Sequence, residues 1–141
     1  MNARATLLAA ALAGACVDNA PIAEPSLDRA LFVSVAQPVL AARCASPACH
    51  GSDRRRLRVY APGYFRADPS RTHRDEALTD AELDANARSA AAFALDVTDP
   101  EASLLVAKPL GRVAHLGGSV FERSDDDCAA LLAWLRRGVA P

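Results

Sequence analysis

The chain has 141 residues, 51% of them hydrophobic, and a formal net charge of −1. That length supports one domain with its own core, and the near-neutral balance gives no support to nucleic acid as a partner. Aromatic residues are only 5% of the total, thin for a core of this size, and a bound apolar group would supply the missing bulk.

Read from the start, Met1 to Ala5 carries Arg4, and Thr6 to Ala15 is a short apolar run ending in small residues. This is the layout of an export signal, and the run is too short to cross a bilayer as a helix. Leu12-Ala13-Gly14-Ala15-Cys16 resembles a bacterial lipobox, in which small residues fit the signal peptidase and Cys16 becomes the lipidated first residue. Residues 1–15 are therefore expected to be a lipoprotein-type signal, and 16–25, with two prolines, a tether. Val17 rather than an acid after Cys16 points to outer-membrane sorting in the periplasm. Absence of a lipid on Cys16 would leave a soluble exported protein.

Residues 26–141 form the expected domain. Ser26 is a candidate N-cap with Asp28 in the first turn, and Leu31, Phe32, Val35, Val39 and Leu40 make one apolar face ending at Cys44. Pro38 within this run is expected to kink it or divide it in two. The stretch 51–75 is polar and irregular. Its Arg54, Arg55, Arg56 and Arg58 suit charge pairing with cofactor carboxylates, docking of an acidic partner, or a solvated loop. Leu57, Val59 and Tyr60 suggest a short extended piece.

Thr79-Asp80-Ala81-Glu82 has capping-box spacing, so a helix is expected from Thr79 through Leu95, with Leu83, Ala87, Ala90 and Ala94 on its packed face. Asp99-Pro100-Glu101 suggests a short helix capped by Asp99 with Pro100 at its first position. Lys108 to Gly118 reads as a loop. The last helix is expected from Ser124 or Asp125 through Trp134 to Arg137, with a stop at Gly138. No strand of useful length is apparent, and the fold class is all-α.

The informative motif is Cys44-Ala45-Ser46-Pro47-Ala48-Cys49-His50, followed by Gly51. Two cysteines with a histidine directly after the second is the order that attaches a c-type haem. Each thiol adds across a haem vinyl group to form a thioether, and the adjoining imidazole faces the iron. The usual spacing has two residues between the cysteines; here there are four. The longer loop can still bring both sulfurs to the porphyrin edge if the extra residues bulge outward, and Pro47 suits a turn. The rival readings are a Cys44–Cys49 disulfide or half of a zinc site. With Cys16 taking lipid, Cys128 is left as a buried free thiol, or as a partner for Cys16 if the signal is not cleaved there.

Methionine, a frequent ligand on the opposite side of such an iron, is closed as an option, because the one methionine is Met1. The remaining candidates are His115, His73, the single lysine Lys108, or an open position. His115 is preferred: it lies in Val113-Ala114-His115-Leu116-Gly117-Gly118, where a loop can fold across the distal face and two glycines permit close backbone approach.

Taken together, Val35-Ala36-Gln37-Pro38-Val39-Leu40-Ala41-Ala42-Arg43-Cys44 with Cys49-His50-Gly51 resembles the opening of the single-haem cytochrome c domains of planctomycete and myxobacterial exported proteins. Thr79 to Glu82 with Asn86, Ser103-Leu104-Leu105, Lys108-Pro109-Leu110, His115 to Gly118, and Leu132 to Leu135 before Gly138 continue it in order, over roughly residues 27 to 139. Two departures are the four-residue cysteine spacing and Cys128, where an aromatic residue is common. The resemblance implies a small cytochrome c-like helical domain around one covalent haem, and electron transfer or an accessory redox role.

The leading expectation is thus a membrane-tethered, periplasmic one-electron carrier that exchanges electrons with redox partner proteins. It would not be an enzyme, since no nucleophile–base–acid set marks a substrate pocket. The alternatives are an open-site haem protein, peroxidase-like or gas-binding, and a haem-free envelope lipoprotein with a Cys44–Cys49 disulfide.

Overall fold

The computed structural model describes residues 26–94 and 99–137. The expected signal, the tether, Cys16, Leu95 and Gly138 lie outside the described residues. Those described form helices and loops without a strand, in agreement with the all-α expectation. The helices are α1 (Arg29–Leu31), α2 (Gln37–Arg43), α3 (Asp80–Ala91), α4 (Leu104–Ala107) and α5 (Asp126–Arg137). Among the described residues, no helix is long and apolar enough to cross a membrane.

The first helical segment starts later than expected. Asp28, not Ser26, is the N-cap, and its carboxylate accepts from the Leu31 N–H at 2.9 Å. Pro38 does not split the segment. Instead α1 passes through a π-helical turn, Phe32–Ala36, into α2, and the Gln37 N–H reaches back to the Phe32 carbonyl. Proline offers no N–H and crowds the carbonyl four residues earlier. Widening the turn just upstream relieves both problems while the rod stays continuous.

In α3 the capping box forms as expected: Thr79 Oγ1 accepts from the Glu82 N–H, and the Glu82 carboxylate accepts from the Thr79 N–H at 2.9 Å. Of the residues expected to pack, Ala90 and Ala94 are fully buried, but polar side chains share the inward face. Glu82, Asn86 and Ala90 point inward at four-residue spacing, while Leu83 and Ala87 are only half-buried. Polar side chains tolerate that position because every bond they need is made. Glu82 also accepts from Arg66 Nε and Nη2 at 2.9 and 2.8 Å and from the Ala67 N–H at 2.9 Å. Both partners of the Arg66–Glu82 pair are almost fully buried, at 0% and 2% side-chain exposure. Arg66 spends its remaining donors on the Glu76 and Ala77 carbonyls, both at 3.0 Å.

Asn86 clasps the backbone of Tyr60, accepting from its N–H and donating to its carbonyl, each at 2.8 Å, and donates to Gln37 Oε1 at 2.9 Å. The extended piece expected at Leu57, Val59 and Tyr60 is therefore buried but unpaired with any strand; side chains take the Leu57 carbonyl and both polar groups of Tyr60, and the Val59 N–H donates to the His50 carbonyl. Asp99 to Ser103 is a turn rather than a helix, with the Ala102 N–H donating to the Asp99 carbonyl at 2.9 Å. The helix starts one turn later, at Leu104, after Ser103.

The core lies where α5 packs on the π-helical turn and on α2, with α3 and α4 closing its flanks. The Phe32 and Trp134 rings meet at 5.0 Å, and Trp134 Nε1–H donates to the Asp28 carbonyl at 3.2 Å. Cys128 is buried in this core as a free thiol. Cys44 and Cys49 are also free.

Candidate cofactor site

The end of α2 sets the geometry of the cysteine motif. Cys44 is its C-cap, and its N–H still donates to the Leu40 carbonyl at 2.9 Å. The chain then folds back on itself. The His50 N–H donates to the Cys44 carbonyl at 3.0 Å, while the Cys49 and Gly51 N–H groups both donate to the Ser46 carbonyl, at 2.9 and 3.0 Å. Within the four-residue insert, Ala45 is fully buried while Pro47 and Ala48 face outward, so the extra length forms a compact surface bulge. Gly51 is obligatory here, because a Cβ would lie 2.0 Å from the Ala45 carbonyl oxygen. Both cysteines are half-buried. Burial first, and then the neighbouring Cys49 thiol, push the Cys44 thiol up to about 11, so it stays protonated at neutral pH.

His50 is held from two sides. Its carbonyl accepts from the Val59 N–H at 2.9 Å, and its Nδ1 lies 2.9 Å from the Leu57 carbonyl oxygen. A carbonyl only accepts, so Nδ1 carries the proton and Nε2 keeps its lone pair. Burial lowers the His50 pKa, the Leu57 bond opposes that, and the neighbouring His115, Arg55 and Lys108 lower it further. The imidazole is therefore neutral at pH 7, the form that binds metals.

His115 is built the same way from the opposite end of the chain. Its Nδ1 lies 2.9 Å from the Gly118 carbonyl, and the Gly118 N–H donates to the His115 carbonyl at 2.9 Å. Gly118 closes this small ring at φ +68, and a Cβ on Gly117 would press on His115 Cε1 at 3.2 Å. The two glycines thus serve the histidine itself: one supplies the left-handed backbone, the other clears space for the ring.

The fold brings these imidazoles together. Their centroids are 6.2 Å apart and their planes differ by 8°. Two imidazoles that share one metal ion, with each ring nitrogen about 2 Å from it, have centroids about 6 Å apart. Each ring spends Nδ1 on a backbone carbonyl, and neither Nε2 has a hydrogen-bond partner among the described residues. Backbone carbonyls in that position fix the tautomer and orientation of metal-binding histidines. Each ring thus keeps one donor nitrogen uncommitted, in a stacked, nearly parallel pair.

The other candidates differ. His73 is an exposed turn residue at φ +67, with its N–H on the Tyr64 carbonyl. Lys108 is half-buried and close enough to His50 to disfavour its protonation. The buried clasps at Glu82 and Asn86, which hold the 57–67 segment opposite α3, were not expected as contributors to this site. The capping-box spacing was the visible sign of Glu82, and Asn86 stood out only within the resemblance.

Comparison with protein-family models, with curated proteins and with solved structures finds no match for this chain.

Proposed function

We propose that this chain is a single-haem c-type cytochrome of the cell envelope, carrying one electron at a time between redox partner proteins and held at the membrane by a lipid on Cys16. Cys44 and Cys49 would hold the cofactor through thioethers, and His50 and His115 would ligate its iron. The observation that carries this reading is the His50–His115 pair, with centroids 6.2 Å apart, nearly parallel rings and both Nδ1 atoms committed to carbonyls. When bound, the haem supplies reversible one-electron iron chemistry, and two imidazoles favour a lower potential than a histidine–methionine pair.

The chain's own residues do the positioning. The Leu57 and Gly118 carbonyls lock both rings with Nε2 available, and those hydrogen bonds make the imidazoles better donors. Gly51 lets the backbone turn tightly enough to carry His50 directly behind Cys49. The cytochrome c-like character of the fold belongs to the same proposal, supported by the lead-in helix that ends at Cys44 and the terminal helix packed across it.

The test is production of the full chain in a host with the c-haem maturation machinery, followed by intact mass and a visible spectrum. The expected result is one covalent haem and a six-coordinate low-spin spectrum unchanged by carbon monoxide. A high-spin spectrum that shifts with carbon monoxide would give the site to the open-site alternative. A colourless protein without added mass would overturn both.

A further inference from the structure

A second site lies outside the histidine pair. The 54–58 loop docks on α3 through the Arg58 N–H, which donates to Ser89 Oγ at 2.9 Å. Between loop and helix is an open cleft of about 410 Å³ lined by Arg55, Arg56, Arg58, Arg88, Ala85 and Ser89. No acidic side chain lines it. The Arg58 guanidinium sits 5.2 Å over the Tyr60 ring, which helps hold it in place.

This gathering of charge is unlike the rest of the molecule. Most other arginines are matched with carboxylates: Arg29 with Asp80 and Asp84, Arg43 with Asp127, Arg66 with Glu82, and Arg112, Arg123 and Arg136 around Glu101. None of the four cleft arginines has a carboxylate partner among the described residues, although the chain as a whole is slightly acidic. Guanidinium groups brought together without counter-charge repel one another, and a multiply charged oxyanion relieves that repulsion. A carboxylate offers one charge and two oxygens. A phosphoryl group offers about two charges and three oxygens matched to the guanidinium fork. The cleft is also of the size that takes small molecules rather than a single ion.

We infer that the cleft between the 54–58 loop and α3 binds a compact polyanion bearing two or more phosphoryl groups. It goes beyond the electron-carrier reading, since it uses none of the cysteine or histidine ligands. The shared chemistry could be presented by a free polyphosphate or by phosphate-rich lipid headgroups, which the experiment separates.

Tripolyphosphate is titrated calorimetrically into the purified full chain at low ionic strength, with and without haem attached. Saturable one-to-one binding is expected, weakened at least tenfold by the double substitution Arg56→Gln and Arg88→Gln. Arg137→Gln, an exposed change at the end of α5, should leave it unaltered. In parallel, phosphatidylcholine vesicles with and without cardiolipin, whose headgroup carries two phosphates, are tested by co-sedimentation. Binding to cardiolipin vesicles that the double substitution abolishes, with no response to tripolyphosphate, supports a headgroup as the source. Absence of both responses overturns the inference, and so does equal weakening by Arg137→Gln, which would indicate diffuse charge. Binding confined to haem-free protein would also overturn it, by assigning these arginines to haem propionates. Circular dichroism of each variant confirms that the exposed substitutions leave the fold intact.

Discussion

The Glu82 region and the His50–His115 region use polar side chains in opposite ways. Around Glu82, Arg66, Thr79 and Ala67 consume both carboxylate oxygens, and Arg66 passes its remaining donors to carbonyls. The group is closed: nothing is left over for a ligand. Each histidine instead has one nitrogen committed to the backbone and the other without a partner among the described residues. The first arrangement is complete in itself, and the second leaves a donor nitrogen on each ring, which is what motivates the ligand role proposed for the histidine pair.

The comparison can be broken most forcefully at Glu82. Glu82→Gln leaves the Arg66 guanidinium buried without its counter-charge, and should cost about 3–5 kcal/mol in denaturant unfolding. The wild-type acid dependence should show the same group. Hydrogen bonding to Arg66 above all holds the Glu82 carboxyl at about 2, against an ordinary 4.5. Because this pKa is depressed in the folded state, its contribution is fully present above the unfolded value and lost as pH falls from about 4.5 towards 2. That contribution is roughly 3 kcal/mol, and the segment of the pH profile it produces should be missing in Glu82→Gln. An unchanged profile would show that the pair does not hold the fold.

Gly51→Ala should have the next largest effect. The added methyl meets a backbone carbonyl, not a movable side chain, so the turn must open at a cost of about 1–3 kcal/mol. His50 is displaced with it, and cofactor incorporation should fall along with the midpoint of unfolding. A variant with wild-type stability and incorporation would show that the turn relaxes freely.

His115→Ala should have the smallest effect on stability, within about 0.5–1 kcal/mol, because its loop is largely exposed. Its spectral consequence should be large, with a low-spin haem becoming high-spin. Loss of several kcal/mol without a spectral change would place His115 with the fold-holding residues and erase the contrast.

Local signals in the sequence were legible where one short stretch carries its own partner. Thr79 and Glu82 are three residues apart, and their box forms as the spacing predicts. The last helix, with acids at its start and arginines at its end, falls within a residue or two of its expected bounds. Chemical elimination singled out His115 as a candidate ligand, a role that remains a proposal; its nearness to His50 is a finding of the structure. What hydrophobic periodicity could not convey was the inward face of α3. Glu82 and Asn86 are polar, and their burial depends on Arg66 and Tyr60, which sit in an irregular stretch without a pattern. The π-helical turn was hidden for a similar reason. Pro38 signals a disturbance, but whether the helix breaks or widens depends on how α5 packs against it. The arginine cleft was visible only as a basic run, because Arg88 joins it from a different helix.

The contact between Trp134 and the Asp28 carbonyl joins residues 106 positions apart. The opening helix of the domain therefore cannot finish its packing until the closing helix has been made and has docked. Up to that moment the Phe32 face lacks the Trp134 ring that covers it in the finished fold. The order of synthesis thus leaves the packing of the first helix to be completed last. Loss of the final helix unseats the first one too, so the two ends of the domain stand or fall together.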